Sequence, residues 1–182
     1  CAGSFGREVG EMAGLDLPVH PDSHEAGITE PVEMFFEPMV VDIRSGPGSA
    51  NYYFYQHDTG QVVFCITPDP PIPGTDVRET SEFLPMVSSR MVDLYPRLAN
   101  LKVRRTWRGC YPQTPDGSPI LGQAGPDNSY IAVGMCGQGY MLGPGVGTLM
   151  ARLVTGEATR EDEEVLNALS PNRDFGTEEA LK

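Results

Sequence analysis

Fourteen residues, Gly134-Met-Cys-Gly-Gln-Gly-Tyr-Met-Leu-Gly-Pro-Gly-Val-Gly147, contain six glycines. They follow Tyr130 to Val133 (YIAV), which reads as a buried-type strand, and they lead into a helix. Glycine lets the backbone come close to a ligand. The first turn of the helix adds unpaired N–H groups and the positive end of a dipole. Such a loop suits an anion or a polarised carbonyl. No Gly-Lys-Ser/Thr follows, so it is not a Walker loop, and it lacks the GxGxxG pattern with an acidic residue on the next strand. Close helix–strand packing is the other use of such glycines.

Further residues carry chemistry only in context. Tyr53 lies in an aromatic run, Asn51 to Gln56 (NYYFYQ), where alternation puts Tyr53 and Tyr55 on one face and Tyr52 and Phe54 on the other. It lines a pocket or is a sheet aromatic. His20, His24 and His57 fall in loops or turns and read as solvated residues. Arg104, Arg105 and Arg108 read as surface charges on a strand and its exit, or one of them meets a substrate carboxylate. Asp116 completes a Thr-Pro-Asp-Gly turn. The cysteines are Cys1, Cys65, Cys110 and Cys136, with no CxxC pair and no Cys/His zinc spacing, so no metal site is expected. Cys65 and Cys136 read as small buried apolar residues. Few, scattered cysteines suggest a reducing, cytoplasmic setting.

The elements that position these residues are short. Ser4 to Gly14 reads as a helix capped by Ser4 and stopped by Gly14. Leu15 to Glu30 reads as loop or weakly extended chain. Val32 to Ile43 reads as a strand broken at Pro38. Asn51 to Gln56 and Gln61 to Ile66 form a hairpin around His57-Asp58-Thr59-Gly60. From Thr80 to Leu98, apolar residues at three- and four-residue spacing predict an amphipathic helix. Leu101 to Trp107 is a strand, Tyr111 to Gly117 a turn, and Pro119 to Leu121 a short apolar piece. Pro144 begins a helix running to about Val154, with Gly156 after its end. A short helix is predicted over Glu161 to Leu169 in an acidic tail.

The whole chain has 182 residues, enough for one domain or slightly more. Its net charge of −12 argues against nucleic acid or an anionic membrane face as partner. No apolar run approaches the ~20 residues of a membrane helix.

Two blocks together are more specific than any single motif. One is Arg105-Thr-Trp-Arg-Gly-Cys-Tyr-Pro-Gln-Thr-Pro-Asp-Gly-Ser-Pro-Ile-Leu-Gly122. The other is Tyr130 to Gly147 with Ala151-Arg-Leu-Val-Thr-Gly156 behind it. In order and spacing they resemble the C-terminal part of the FAD-dependent D-amino acid oxidase superfamily, nearest to glycine oxidase and the sarcosine oxidase β-subunit. Cys1-Ala2-Gly3-Ser4-Phe5 resembles that family's segment beside the cofactor. The family's N-terminal strand and GxGxxG turn are absent, so the expectation is a C-terminal portion of a longer flavoprotein. The fold implied is α+β: a mostly antiparallel substrate-domain sheet packed by a helix, plus the last strand and helix of an FAD-binding Rossmann-like domain. Residues 1–14 would end an FAD-binding segment, 15–122 would be a partial substrate-binding domain, and 123–182 would return to the FAD-binding domain and end in the acidic tail.

The resemblance implies oxidation of a small amine or amino acid by hydride transfer to flavin. A neutral amine substrate needs no dedicated strong base. Gly3, Gly137, Gln138, Gly139, Tyr140 and Met141 are implied at the cofactor, and Tyr53 and Tyr111 at the substrate. Tyr111 stands where glycine oxidases carry a carboxylate-binding Arg, and Met141 where monomeric sarcosine oxidases carry a Lys. The covalent-flavin Cys of those enzymes falls at Gly109, one residue from Cys110, so FAD is expected to be non-covalent. Without the pyrophosphate site it is expected to be absent or weakly held by these residues alone. Self-association, or pairing with the missing N-terminal half, follows from apolar surface left uncovered. Two rival readings are a non-catalytic scaffold keeping the fold alone and an anion-binding domain built on the glycine-rich loop.

Overall fold

The computed structural model describes residues 2–176. The elements in chain order are α1 (Gly6–Met12), β1 (His20–Thr29), β2 (Val40–Asp42), β3 (Ser49–Gln56), β4 (Val62–Pro68), α2 (Phe83–Leu94), β5 (Val103–Gln113), β6 (Ile120–Gln123), β7 (Tyr130–Val133), α3 (Gly139–Thr155) and α4 (Arg160–Ala168). Two compact units divide the chain. One is continuous, Ser23–Cys110, and the other combines residues up to Asp22 with those from Tyr111 onward. The chain changes unit inside β1 and again inside β5.

The continuous unit is built on a five-stranded sheet of order β2-β3-β4-β1-β5. The β3–β4 hairpin has the predicted turn, and Tyr52, Tyr53 and Phe54 pair with Ile66, Cys65 and Phe64. Alternation sends Tyr52, Phe54, Phe64 and Ile66 to one face, where Phe83, Val87 and Met91 of α2 close the core. The α2 residues recur every four positions, which is why one helical stripe covers the sheet. The helix is shorter than predicted. It runs over Phe83–Leu94, and Pro96 opens a separate 3-10 turn over Pro96–Asn100 that buries Leu98.

Two stretches depart from expectation. His20–Thr29 is not loop but a ten-residue strand pairing with β4. Its polar sequence hides it. Ser23, His24 and Glu25 are all buried, and a Cβ on Gly27 would lie 2.3 Å from Phe64 Cζ, so the ring crosses bare backbone there. The Glu25 carboxylate is satisfied by the Thr80 N–H and hydroxyl, at 2.7 and 2.8 Å. Conversely, only Val40–Asp42 of the predicted Val32–Ile43 strand is strand. The Gln56 side chain instead takes up the preceding backbone, accepting from Phe35 N–H at 3.0 Å and donating to Glu33 O at 3.2 Å. Phe35 and Phe36 still pack on the core as aromatics rather than as ladder residues.

In the other unit, β6 and β7 form an antiparallel hairpin. Ile120 joins Leu17 and Val19 in a small core flanked by Ile131, Val133 and Phe175. A 3-10 turn over Gly3–Phe5 precedes α1, so Ser4 lies inside that turn and caps nothing. Gly14 does end the segment, in the left-handed region at φ 76°. Helix α3 ends at Gly156, also left-handed. Among the described residues no helix is long and apolar enough to cross a membrane.

Candidate functional site

The glycine-rich loop lies between β7 and α3 in the discontinuous unit. Its start is fixed by close packing. Gly134 is buried at φ 67°, and a Cβ there would lie 2.3 Å from Thr114 Cγ2. Cys136 is left-handed at φ 51°, and its N–H donates to Pro112 O at 3.2 Å. A Cβ on Gly137 would lie 2.6 Å from Tyr111 Cε1. The end of β5 and the following turn thus form the bed on which residues 134–137 rest. The packing use of glycine and the ligand use are therefore both present, at different positions.

The helix starts earlier than predicted. It begins at Gly139, with Gln138 as N-cap, and Pro144 is inside it. Pro144 has no N–H for the Tyr140 carbonyl and so removes one bond from the ladder, at a cost of roughly 3 kcal/mol in an ordinary helix interior. The consequence is positional: the dipole's positive end and the free amides lie at Gly139 to Met141, not at Pro144. No side chain caps this terminus, and no acidic residue occupies the first turn. Tyr140 is fully exposed and Met141 is 72% exposed, so the terminus opens outward.

The remaining predicted residues fall as follows. Tyr111 is in β5, not in a turn, with its ring against Gly137. Gly3 opens the 3-10 turn at φ 53°. Tyr53 is in the continuous unit, half-buried on the face opposite α2, beside Val41 and Cys65 on the neighbouring strands. Within the discontinuous unit the structure brings together Tyr111, Gly137 and the residues that follow it. His20 and His24 are strand residues of β1 and His24 is buried, while His57 is an exposed turn residue with Nδ1 2.7 Å from Thr59 Oγ1. Arg108 donates to Arg78 O at 3.1 Å and its Nε is buried without a partner. No group of three His, Cys, Asp or Glu among the described residues is placed to hold a metal.

Asp116 does complete its turn, accepting from Ser118 N–H at 3.1 Å. It also meets Arg173, which no spacing in the sequence links to it. Arg173 Nε and Nη2 reach the two Asp116 oxygens at 2.8 and 2.9 Å. That hydrogen-bonded guanidinium holds the Asp116 carboxyl below the ordinary carboxylate range. The sequence marks Thr114 only as the first residue of that turn; its contacts with Gly134 and Cys136 come from the fold.

Comparison with known proteins agrees with this architecture. Residues 1–153 match the family model described as FAD dependent oxidoreductase (DAO). Sarcosine oxidase subunit beta of Rhizobium meliloti (strain 1021) is 28% identical over 155 residues, covering 81% of this chain and 34% of that protein. L-proline dehydrogenase from P. horikoshii superposes with a TM-score of 0.82 at 32% identity, over 95% of this chain and 45% of that one. Glycine oxidase from Geobacillus kaustophilus gives 0.77 at 26%, over 96% and 44%. The chain therefore spans about a third of that curated relative and under half of either solved chain. With the family model matched over most of its length and the same fold in these two solved structures, the chain belongs to the FAD dependent oxidoreductase (DAO) family.

Proposed function

We propose that these residues are the C-terminal, substrate-domain part of a flavoenzyme that oxidises a small amine or amino acid. The observation that carries this reading is the outward-opening, uncapped start of α3 behind the glycine-rich loop, in a chain matching the family. These residues fit the edge of a flavin ring. Gly137, Gln138 and Gly139 present backbone, Tyr140 and Met141 are exposed, and the free amides of the first turn suit a carbonyl that becomes anionic on reduction. A flavin held there would supply the acceptor for a hydride from the carbon beside the substrate nitrogen, the substrate becoming an imine. The chain's own part is to orient the ring edge with the loop and to offer Tyr53 and Tyr111 to the substrate. Gly3 would lie on the cofactor side.

Non-covalent attachment is supported by Cys110. Its sulfur is 3.8 Å from Ser23 Oγ. Strand alternation puts Ser23 with Glu25 and its partner Ile66 on the α2 side of the sheet, opposite Tyr53. Pairing with sequence outside these residues is supported by α3 itself. Its seventeen residues include Leu142, Val146, Leu149, Met150, Leu153 and Val154, yet none is buried. A helix this apolar needs a covering surface. The dinucleotide-binding segment of the flavin domain would supply it, with self-association as the outcome when that segment is absent. In the proposed domain organisation, residues 1–14 and 123–182 belong to the FAD-binding part and 15–122 to the substrate-binding part. A reducing, cytoplasmic setting is proposed on the few, scattered cysteines of the sequence.

The test is a visible absorption spectrum with added FAD, on this chain and on one extended upstream through a dinucleotide-binding segment. A bound-flavin spectrum in the longer chain, bleached anaerobically by sarcosine, glycine, proline or a related amine, is the expected result. No bound flavin in either chain would leave the scaffold reading in its place.

A further inference from the structure

We infer that Arg173, in the tail beyond the stretch matched to the family, is a positioning residue for the cofactor-facing loop. This rests on the flavin reading of that loop.

Arg173 is 8% exposed at its side chain and uses all five of its donors. Nε and one Nη2 hydrogen take the Asp116 carboxylate in a fork. The other Nη2 hydrogen reaches Ser118 O at 3.0 Å, and Nη1 reaches Leu169 O at 2.9 Å and Ser170 O at 3.3 Å. The guanidinium also covers the Phe175 ring, 4.4 Å from its centroid. One residue thus ties the end of α4 and the tail to the turn after β5.

That turn holds the loop. The one proton of the Thr114 hydroxyl is shared between Asp116 Oδ1 at 3.2 Å and Ser118 O at 2.9 Å. On its other side Thr114 touches the loop twice. Its methyl fills the space that a side chain at Gly134 would need, and its Oγ1 is 3.5 Å from Cys136 Sγ. Cys136 keeps a left-handed backbone that costs a non-glycine residue roughly 1–2 kcal/mol, so its surroundings must impose it. The path runs Arg173, Asp116, Thr114, then Gly134 and Cys136, all within one unit. Two residues past Cys136 is Gln138, the N-cap of α3. A shift of the turn therefore moves the helix terminus that faces the ring.

The experiment has two arms. In the first, this chain and its variants Arg173→Met, Arg173→Lys and Thr114→Val are alkylated, and Cys136 and Cys65 are quantified by peptide mass spectrometry. Cys65, only 3% exposed in the other unit's sheet, reports folding of that unit alone, and far-UV circular dichroism with the urea midpoint of each variant reports folding of the unit that holds Arg173. Cys136 labelling should rise about tenfold in Arg173→Met, the scale of one lost charge-assisted hydrogen bond. It should rise less in Arg173→Lys, and it should rise in Thr114→Val, which keeps the ion pair. Cys65 should stay protected. In the second arm, the flavin-binding form should hold FAD roughly tenfold more weakly in Arg173→Met, with partial recovery in Arg173→Lys. Unchanged Cys136 labelling in both Arg173→Lys and Thr114→Val overturns the brace, even if Arg173→Met unfolds. Raised labelling with unaltered FAD affinity overturns its role toward the cofactor. If the parent protein binds no FAD in any form, the proposed function falls, and the first arm still decides the brace.

Discussion

Asp42 shows what a single residue contributes here. Its carboxylate takes Arg44 in a fork, both bonds 2.8 Å, and lies 3.7 Å from the nearly buried Arg90 guanidinium. Arg90 in turn sits over the Tyr52 ring, 4.6 Å from its centroid, so the cluster latches β2 and β3 to α2. The Arg44 hydrogen bonds lower the Asp42 carboxyl to about 2. A carboxyl depressed in the folded state stabilises above its unfolded pKa of about 4, and that stability fades as pH falls through the folded value. Asp42→Asn should therefore lower the urea midpoint at pH 7 by the equivalent of about 1–2 kcal/mol, because Arg44 is largely exposed. The gap to wild type should close between pH 4 and pH 2. A gap of constant size across that range would mean the carboxylate's charge is not what matters. Of the residues at the candidate site, the glycines could be read from sequence because their type alone permits close approach. Arg173 could not, because its partner Asp116 is remote in sequence and only folding brings the two together.

At the scale of elements, helical periodicity was the most readable signal. Phe83, Val87 and Met91 fall on one stripe, and all three are buried against the sheet. Phe83 stacks on Phe64 with ring centroids 6.0 Å apart. Phe83→Ala should destabilise the continuous unit by about 3–5 kcal/mol in chemical denaturation, as for a large core aromatic. A loss under 1 kcal/mol would show that α2 does not close this core. Strand β1 was unreadable for the opposite reason. It carries His20, Asp22, Ser23, His24 and Glu25, and its place in the sheet depends on partners rather than on its own alternation. The sequence places the start of α3 at Pro144, a common first-turn residue, whereas the glycine-rich segment continues the helix five residues upstream of it.

For the whole molecule, the chain order of the two units makes a prediction of its own. The continuous unit has its own sheet, helix and core between two crossings of the chain. Residues 20–113, which include all of β1 and β5, should fold alone and unfold in one cooperative urea transition with matching fluorescence and circular dichroism midpoints. Non-coincident midpoints, or no transition, would show that the sheet needs the other unit. The discontinuous unit offers no such single segment, since Leu17 and Val19 pack with Ile120 a hundred residues later.

The sequence alone determined the family, the α+β class, the central hairpin, the amphipathic helix and the glycine-rich segment. These rest on local periodicity, on residue type, or on two motifs in fixed order. Tertiary structure decided which polar stretch becomes an inner strand, where α3 begins, and which side chains hold the loop. Those outcomes depend on contacts between residues far apart in the chain: Gly27 under Phe64, Gly134 against Thr114, and Arg173 on Asp116.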